Sequence, residues 1–406
     1  MEKLRVLVKE IAYTNNSSKF SHRALIPCLS VASFVYRTAV AIRRWLYRHG
    51  IIACYGLPVP VISVGNLSWG GNGKTPMSEL IARLLLKRGL SSLILSRGYA
   101  GGDEAKMLKR HFHGDHVKVG VGANRLSTAI HFLQNYGFAN REDLLIERKK
   151  PNFPYSKKIG AVILDDGMQH LMLQRDLEIV MVNGITLWGN RRLIPLGPLR
   201  ESLSSLERAD AVVVHHANLV TDEQLNQVHT TLQEVTRPLP VFYTGMLPSH
   251  FFDVNDVHSV LPLDSSRNDI LLCVSGIACP DAFVLAMRKI TSRRVDTVAF
   301  GDHHKFEQKD MEAIRRKLLE LEAVSGEKPV VVITEKDYDR DPTAFKRLAS
   351  YKVMVVCSEM QFLRNKHLEE FESLLLSPWM SYPPRTRKRC RVQAPNLPCA
   401  QRVISG

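Results

Sequence analysis

The sequence predicts an α/β protein with two P-loop or Rossmann-like α/β/α domains, each built on a mainly parallel, doubly wound sheet. Two observations support this prediction. Short β-branched runs alternate with helical periodicity in two separate parts of the 406-residue chain, which is typical of parallel strands joined by helices. A glycine-rich stretch ending in lysine and threonine lies between the first strand and the first helix, the position of a phosphate-binding loop.

The strand and helix patterns divide the chain into segments. The first domain has six predicted strands: Pro60–Val64, Leu93–Ser96, Val117–Val121, Ala161–Leu164, Glu178–Val182 and Ala211–Val214. The second has four: Ile270–Val274, Thr297–Phe300, Pro329–Ile333 and Met354–Val356. Helical patterns intervene, including Pro76–Arg88, Arg125–Gln134, Ala282–Ile290 and Met311–Val324. We therefore expect a basic N-terminal helical segment at 1–50, a P-loop domain at 51–215, a linker or β-ribbon at 216–268, a second α/β domain at 269–378 and a disordered basic tail at 379–406.

The composition is that of a globular protein with a large core, with 45% apolar and 23% charged residues. The formal net charge of +15 favours anionic partners such as nucleic acid, phospholipid surfaces or phosphorylated substrates, although solubility alone also explains such a charge. The seven cysteines include no C-x-x-C pair, so neither a zinc site nor a disulfide framework is expected. This cysteine usage indicates a reducing compartment, or one facing it.

The first 50 residues are basic and poor in acids, and they read as a helix from Ile26 to Tyr47. Apolar residues alternate there with arginines, which predicts a helix lying in the interfacial plane of an anionic bilayer. A helix packed on the protein's own core is one alternative, and an organelle transit peptide is another. No spanning helix is expected, since Arg37 interrupts the most apolar stretch, Ala24 to Ala41.

The most specific motif is the segment that follows the first predicted strand. It reads Ser68-Trp69-Gly70-Gly71-Asn72-Gly73-Lys74-Thr75. Glycines allow successive backbone N–H groups to surround the phosphates of ATP, Lys74 adds a positive charge, and the Thr75 hydroxyl can bind Mg²⁺. Ser68 stands where the usual motif has glycine. An ordinary glycine-rich turn is the alternative interpretation.

A carboxylate pair, Asp165 and Asp166, follows the apolar strand predicted at Ala161–Leu164. A P-loop is normally accompanied by an aspartate at the end of a neighbouring strand, where it holds magnesium directly or through water. Hydrophobic runs ending in aspartate are common on their own. Together with the P-loop, however, this pair predicts magnesium-dependent nucleotide binding.

Several other polar clusters follow predicted strands or loops, and open α/β sheets collect ligands at strand ends. The residues in question are Arg97, Asp103, Gln169, His170, Arg200, Glu201 and His303. Taken singly, each could equally be a capping or turn residue. The motifs around Arg97, Asp103 and His303 follow strands, whereas Arg200 and Glu201 end a proline-containing loop.

Together these segments resemble the tetraacyldisaccharide 4′-kinase family between about Val35 and Asp337. The matching segments are Pro58–Asn66, Gly70–Pro76, Ser96–Tyr99, Gly102–Glu104, Asp165–His170, Gly189–Asn190, Pro195–Glu201, Gly276–Ala278, Asp302–His303 and Thr334–Asp337. Ser68 fits the resemblance, because this family does not keep the first glycine.

The resemblance implies transfer of the γ-phosphoryl group of ATP to the 4′-hydroxyl of tetraacyldisaccharide 1-phosphate, a step of lipid A biosynthesis. It also implies two α/β/α domains joined by a ribbon, with an N-terminal helix docked on a membrane. The family has bacterial members at the cytoplasmic face of the inner membrane and plant members associated with mitochondria. The basic N-terminus and unusual tail favour a mitochondrial, peripheral membrane location.

The resemblance also implies roles for individual residues. Ser68 to Thr75 bind ATP, with Lys74 also catalytic. Metal ligands are expected at Thr75, Asp165, Asp166 and Glu201, and phosphate or substrate contacts at Arg97, Gln169, His170 and Arg200. Asp103 is expected to be the general base, with His303 as its partner. Because Asp103 and His303 fall in different predicted domains, we expect domain closure to assemble the site.

A kinase acting on a different membrane-associated acceptor remains open on the sequence alone, and so do two functions from other classes. A P-loop switch or transport ATPase would hydrolyse nucleotide to change partners, but no Asn-Lys-x-Asp nucleotide-specificity motif is present. A catalytically inactive lipid-binding homologue would not require Lys74, Thr75, Asp165 and Asp166. The expected partners are ATP, the acylated disaccharide phospholipid and an anionic membrane surface, and no nucleic acid partner is expected.

Overall fold

The computed structural model describes residues 2–13, 20–98, 102–114, 116–139, 157–380 and 392–393. The chain forms two compact units, which we call unit 1 and unit 2. Unit 1 comprises Met1–Arg97, Gly114–Thr244 and Phe362–Gly406. Unit 2 comprises Gly98–His113 and Gly245–Gln361.

The helices and strands are numbered along the chain. The helices are α1 (Glu2–Tyr13), α2 (Phe20–Arg48), α3 (Lys74–Lys87), α4 (Asp103–His111), α5 (Arg125–Tyr136), α6 (Asp222–Val235), α7 (Pro280–Arg288), α8 (Gln308–Ser325), α9 (Glu335–Arg340) and α10 (Asn365–Met380). The strands are β1 (Cys54–Tyr55), β2 (Val61–Gly65), β3 (Ser92–Ser96), β4 (Val117–Val121), β5 (Ala161–Asp165), β6 (Leu177–Asn183), β7 (Ala211–His215), β8 (Val241–Asp253), β9 (Asp256–Leu261), β10 (Leu271–Ser275), β11 (Val295–Ala299), β12 (Val330–Thr334), β13 (Val353–Phe362) and β14 (Val392–Gln393).

The main sheet of unit 1 is parallel, with strand order β4-β3-β5-β2-β6-β7-β8. Strands β2, β3, β5, β6 and β7 are buried along their whole length. Helices cover both faces of a parallel sheet, so its strands are apolar throughout rather than alternating. In the register, Val64 of β2 lies opposite Asp165 of β5, which brings the ends of these two strands together below the predicted phosphate loop.

Unit 2 has a parallel sheet of order β11-β10-β12-β13. Side chains of β10 alternate between two cores, with Leu272 and Val274 in the one that contains α8 and Leu271 in the one that contains α7. The sheet is therefore sandwiched between helices. The second half of β8 and β9 form an antiparallel ribbon, in which Phe251 pairs with Leu261.

These elements confirm the predicted α/β class. They correct the prediction that 216–268 is only a linker or ribbon, because helix α6 occupies part of it. A capping box between Thr221 and Gln224 starts this helix, and Val228 and Leu232 pack into the core of unit 1. The capping pattern and the apolar spacing were both readable in the sequence.

The two units also differ from the predicted domain boundaries. Helix α4 belongs to unit 2 although it lies within the predicted first domain, and α10 belongs to unit 1 although most of it lies within the predicted second domain. Helix α4 contacts α9 extensively, so tertiary packing decides its membership. The predicted tail falls mostly outside the described residues. Its described part includes the end of α10 and the strand β14, which pairs with β1.

Helix α2 runs without a break from Phe20 to Arg48, further in both directions than predicted. By length and composition alone, Leu25–Arg48 could cross a membrane, and little of it is buried. Arg37 therefore does not exclude a span, contrary to the sequence-based expectation. Signal sequences and core helices of soluble proteins meet the same criteria.

Candidate active site

The predicted phosphate loop connects β2 to α3. Gly73 has a left-handed conformation (φ 75°) and caps the helix that begins at Lys74. The side-chain amide of Asn72 donates to the carbonyls of Ser68 (3.0 Å) and Gly70 (2.9 Å). The loop is thus folded on itself at the N-terminus of a helix, where backbone N–H groups and the helix dipole favour phosphate.

Neighbouring segments of unit 1 hold this loop from outside. The Trp69 N–H donates to the Pro198 carbonyl (2.9 Å), and the Arg200 N–H donates to the Leu67 carbonyl. On the other side, the Asn183 side-chain amide donates to the Gly71 carbonyl (2.9 Å). The loop that ends in Arg200 therefore lies directly beside the phosphate loop.

The end of β5 meets the start of α3 at the position predicted for magnesium. The Thr75 hydroxyl donates to Asp165 Oδ2 (3.0 Å), and the Ser78 hydroxyl donates to Asp165 Oδ1 (3.3 Å). Both Thr75 and Asp165 are buried. Hydroxyl and carboxylate oxygens are the ligand types that magnesium prefers, so this pair fits the ion.

Asp166 is the centre of a charged group. Its carboxylate lies 3.7 Å from Lys74 Nζ and accepts from Arg200 Nη1 at 2.8 Å and 2.9 Å. Burial opposes ionisation of Asp166, but the positive charges of Lys74 and Arg200 outweigh it, so the pKa is lowered. Asp166 also has a left-handed backbone (φ 54°), an uncommon conformation that often accompanies functional sites.

Arg125, at the first position of α5, was not singled out from the sequence. It is 3% exposed, and its guanidinium donates to the Asp166 carbonyl (2.9 Å). Burial lowers its pKa, although Asp166 and Asp165 partly oppose the shift. A buried arginine beside a phosphate loop can pair with anions. Its place just after the end of β4, at the start of a helix, was the available signal.

Two of the predicted phosphate contacts, Gln169 and His170, follow β5 and lie near Arg200 and Arg125 respectively. The Gln169 side-chain amide donates to the Asn66 carbonyl (2.9 Å), and its side-chain oxygen Oε1 lies 3.4 Å from Arg200 Nη1. Burial and the charges of Arg125 and other nearby arginines lower the pKa of His170 to about 4, so His170 is neutral at physiological pH. Arg97 lies just after β3 and is exposed. Tyr99, two residues later in the same motif, lies outside the described residues.

Glu201, predicted as a metal ligand, is held in a buried ion pair. Both of its oxygens accept from Arg208, at 2.8 Å and 3.0 Å, and the Ser205 hydroxyl donates to it at 3.0 Å. Burial opposes its ionisation, but the charge of Arg208 prevails and lowers its pKa. Among these contacts the geometry brings Thr75 and Asp165 together as oxygen donors, while a metal-binding role for Glu201 stays a prediction.

The predicted base and its partner lie together in unit 2. The His303 Nδ1 is 2.9 Å from Asp103 Oδ2, and a carboxylate can only accept, so this nitrogen donates. Asp103 is the first residue of α4 and is 1% exposed, while His303 has a left-handed backbone (φ 60°). Both residues belong to one unit, so the prediction that Asp103 and His303 lie in different domains is wrong.

Two basic residues of α9 lie close to this pair and place positive charge beside Asp103, and neither was predicted. Arg340 Nη2 lies 3.2 Å from Asp103 Oδ2, and Lys336 Nζ lies 3.0 Å from Glu104 Oε1. Burial works against ionisation of Asp103, but the hydrogen bond from His303 and the charge of Lys336 lower its pKa to about 2. The carboxylate is therefore ionised at physiological pH. Both basic residues lie in or just after the Thr334–Asp337 motif, which was the sequence signal for them.

A second charged cluster fixes the other end of α4 on α9. Arg110 donates to both carboxylate oxygens of Asp339 (3.0 Å and 2.9 Å) and to Glu335 (2.8 Å). His111 Nε2 lies 2.9 Å from the same Glu335 oxygen. A helix that carries the predicted base at its first residue is thus clamped at its last turn, which limits its rotation.

We expect replacement of Glu335 by Gln to destabilise the protein by roughly 3 kcal/mol at neutral pH. Burial opposes ionisation of Glu335, but the hydrogen bond from His111 and the charge of Arg110 lower its pKa from 4.5 to about 2. Its stabilising contribution is therefore complete above pH 4.5 and disappears as the pH falls towards 2. Urea unfolding between pH 6 and pH 2.5 measures this effect. Glu312→Gln, at an exposed position of α8, is the control; a stability difference independent of pH would contradict the prediction.

Among the described residues, no three histidines, cysteines, aspartates or glutamates gather as a metal-binding group. Magnesium in nucleotide sites is commonly held by one or two protein oxygens together with phosphate oxygens and water. The Thr75–Asp165 pair is compatible with that arrangement. A dedicated protein cage is not required for it.

Comparisons with known proteins identify the family. The sequence model described as tetraacyldisaccharide-1-P 4′-kinase matches residues 25–376. The "Probable tetraacyldisaccharide 4'-kinase, mitochondrial" of Arabidopsis thaliana is 51% identical over 367 residues, which is 89% of this chain and 93% of the relative. A "Tetraacyldisaccharide 4'-kinase" of Anaeromyxobacter dehalogenans is 30% identical over 363 residues, covering 84% and 88% of the two chains.

A solved structure agrees with the fold. The crystal structure of LpxK from Aquifex aeolicus in complex with ATP has a TM-score of 0.57 and 23% sequence identity, and the match covers 86% of this chain and 99% of that one. This likeness supports the α/β architecture. From the family match and the two relatives, the chain belongs to the tetraacyldisaccharide-1-P 4′-kinase family.

Proposed function

We propose that this protein transfers the γ-phosphoryl group of ATP to the 4′-hydroxyl of tetraacyldisaccharide 1-phosphate. The observation that carries the proposal is the Asp103–His303 pair, in which the buried Asp103 carboxylate lies 2.9 Å from the half-buried His303 ring, in a chain that also has a folded phosphate loop. A switch ATPase activates water and does not require a preformed carboxylate–histidine pair to receive the proton of a sugar hydroxyl. The family to which the chain belongs supplies the identity of the acceptor.

The nucleotide end of the reaction is assigned to unit 1. The loop from Ser68 to Thr75 presents backbone N–H groups to the phosphates, and Lys74 places a positive charge beside them. Arg200 and Arg125 add further positive charge around Asp166. Phosphoryl transfer has a loose transition state with charge on the transferred group, and fixed cations are what stabilise it.

Magnesium is the metal that this site fits. Thr75 and Asp165 would hold it, since their oxygens are buried and lie 3.0 Å apart. When bound, magnesium neutralises phosphate charge and orients the γ-phosphoryl group. Asp166 would act mainly by fixing the positions of Lys74 and Arg200.

The acceptor end is assigned to unit 2. Asp103 would take the proton of the acceptor hydroxyl, and His303 would orient the carboxylate through Nδ1. A carboxylate whose pKa is lowered to about 2 is a weak base. That is sufficient where the proton leaves late, after the bond to the leaving phosphate has largely broken.

The proposal is tested by incubating the protein with γ-labelled ATP, magnesium and tetraacyldisaccharide 1-phosphate in detergent mixed micelles. We expect a singly labelled lipid product carrying the new phosphate at the 4′ position, as identified by mass spectrometry and partial hydrolysis. The same disaccharide already phosphorylated at the 4′ position is the control and should not be labelled. Hydrolysis of ATP without a lipid product would reject the acceptor and favour a switch or transport ATPase.

We also propose that helix α2 docks this enzyme on a membrane surface. One face of α2 is held by unit 1, since Ser33 donates to the Leu193 carbonyl (2.9 Å), Tyr36 to the Arg200 carbonyl (3.0 Å) and Arg44 to Ser205 (3.0 Å). A helix attached along its side to a folded unit is suited to lie on a bilayer. This supports the interfacial interpretation over a span.

The other face of α2 is apolar and exposed. Phe34 is 69% exposed and Trp45 is 52% exposed, and Val31, Val35 and Ile42 share this face. Exposed Arg37 and Arg48 lie at its margins. Apolar side chains entering the acyl region, with arginines at the level of anionic headgroups, are the features of an interfacial helix.

The double substitution Phe34→Glu and Trp45→Glu is expected to weaken binding to vesicles of phosphatidylglycerol and phosphatidylcholine by at least about tenfold, because two apolar anchors are lost. Co-sedimentation with the vesicles measures it. Leu319→Glu, at an exposed leucine of unit 2, is the matched control. Vesicle binding that stays at the wild-type level in the double variant would reject α2 as the docking helix.

We propose a mitochondrial location, peripheral on a membrane, because the Arabidopsis relative of 51% identity carries that location in its name. The cytoplasmic face of a bacterial inner membrane is the alternative. Imaging a C-terminal fluorescent fusion beside a mitochondrial dye in plant cells tests the mitochondrial location. A diffuse cytosolic signal would contradict the proposal.

A further inference from the structure

Helix α1 precedes the part of the chain that the family's sequence model matches, which begins at residue 25. Its last turn is nevertheless built into unit 1. Ile11 and Ala12 are both buried, Ala12 completely. An N-terminal helix that ends in a closely packed site has a specific position on unit 1.

The end of α1 is capped by the Gly189–Asn190 motif. The Asn190 N–H donates to the Ala12 carbonyl (2.9 Å), and its side-chain amide donates to the Ile11 carbonyl (3.1 Å). The last carbonyls of a helix lack partners within the helix, so these bonds complete it. A Cβ atom at Gly189 would lie 2.6 Å from the Ala12 carbonyl oxygen. Only glycine permits this approach without a shift of α1.

The next residue of α1 reaches the phosphate loop. The Tyr13 hydroxyl donates to the Trp69 carbonyl (3.0 Å), while the N–H of the same Trp69 donates to Pro198 (2.9 Å). Gly70 follows with φ at 95°, a conformation that requires glycine, and the position of its Cβ would be 3.7 Å from the Tyr13 hydroxyl. Tyr13 therefore contacts the loop where its backbone turns at Gly70.

We infer that Tyr13 is a positioning residue for ATP binding, and that α1 holds the phosphate loop in place through it. A loop with three glycines among its eight residues loses much conformational freedom when its N–H groups converge on phosphates. The bond to the Trp69 carbonyl, anchored through α1 and Asn190, removes part of that freedom before ATP binds. Such preorganisation increases affinity without any contact between Tyr13 and the nucleotide. This inference rests on the proposed function only for the use of ATP.

The test is isothermal titration calorimetry of magnesium and a non-hydrolysable ATP analogue with the full-length protein and three variants. Tyr13→Phe removes only the hydroxyl. Ala12→Glu places a carboxylate at a completely buried position and should displace α1, while the Tyr13 side chain that contacts the loop stays unchanged. Tyr351→Phe is the matched control in unit 2, where the hydroxyl donates to Glu322 (2.8 Å). We expect Kd to rise about 2- to 10-fold in Tyr13→Phe, the effect of one hydrogen bond, and at least as much in Ala12→Glu.

An unchanged Kd in Tyr13→Phe would overturn the inference, and so would an equal rise in Tyr351→Phe, which would indicate general destabilisation. In steady-state assays, Tyr13→Phe should raise KM for ATP and leave KM for the acceptor lipid unchanged. The calorimetric measurement needs no acceptor lipid. Its outcome is therefore independent of whether the proposed lipid phosphorylation is correct.

Discussion

Replacement of Asp103 by Asn is expected to lower kcat about 10²- to 10⁴-fold, the usual contribution of a positioned general base, with little change in ATP affinity. Asparagine keeps the shape of the side chain but cannot take a proton. His303 donates to Oδ2 of this carboxylate at 2.9 Å, so His303→Gln should also reduce kcat. Because the two side chains act together on the same proton transfer, the double variant should be little worse than Asp103→Asn alone.

Lipid phosphorylation under saturating ATP measures this effect. Asp296→Asn, a surface carboxylate of unit 2 paired with Arg294, is the control and should stay within about twofold of wild type. The pKa of Asp103 is lowered to about 2, so its protonation should not reduce kcat until the pH falls below about 4. Near-normal turnover by Asp103→Asn would remove Asp103 from the catalytic assignment.

Replacement of Lys74 by Met is expected to lower kcat about 10²- to 10³-fold, the scale of losing one preorganised charge contact to the transition state. Lys74 is the first residue of α3, and its ammonium lies 3.7 Å from Asp166 Oδ1. Asp166 therefore orients it beside the loop. Methionine keeps the length of the side chain and removes its charge, so ATP affinity should fall as well.

The matched control for this variant is Lys87→Met, an exposed lysine at the last position of the same helix. It removes the same charge from α3 at the opposite end. We expect it to leave both kcat and KM for ATP near wild type. Equal losses in Lys74→Met and Lys87→Met would indicate that helix stability rather than phosphate binding is affected.

The phosphate loop and the carboxylates after β5 are predictable from sequence because their chemistry is local. Ser68 to Thr75 lie in one continuous segment, and the backbone conformation needed there demands glycines. Asp165 could be placed beside the loop only through the general rule that parallel strands end at one edge of a sheet. The register between Val64 and Asp165 and the 3.0 Å contact with Thr75 bear out that rule.

The environment of Asp103 was only partly predictable. The sequence suggested Asp103 and His303 through a resemblance, but it assigned them to different domains. Packing of α4 on α9, clamped by Arg110 between Asp339 and Glu335, places them in one unit. Arg110 and Asp339 are 229 positions apart in the chain. Neither periodicity nor a local motif predicts a pairing over such a distance.

The α/β class, the phosphate loop and the carboxylate pair were predictable from the sequence, because glycine geometry, β-branched strand patterns and motif spacing are properties of short segments. Tertiary structure alone decided that α4 belongs with unit 2, that Arg125 and Arg340 face the predicted acidic residues, and that α1 ends on the phosphate loop. These features depend on contacts between distant segments. Their geometry follows from burial and charge pairing across the fold, which the order of residues does not display.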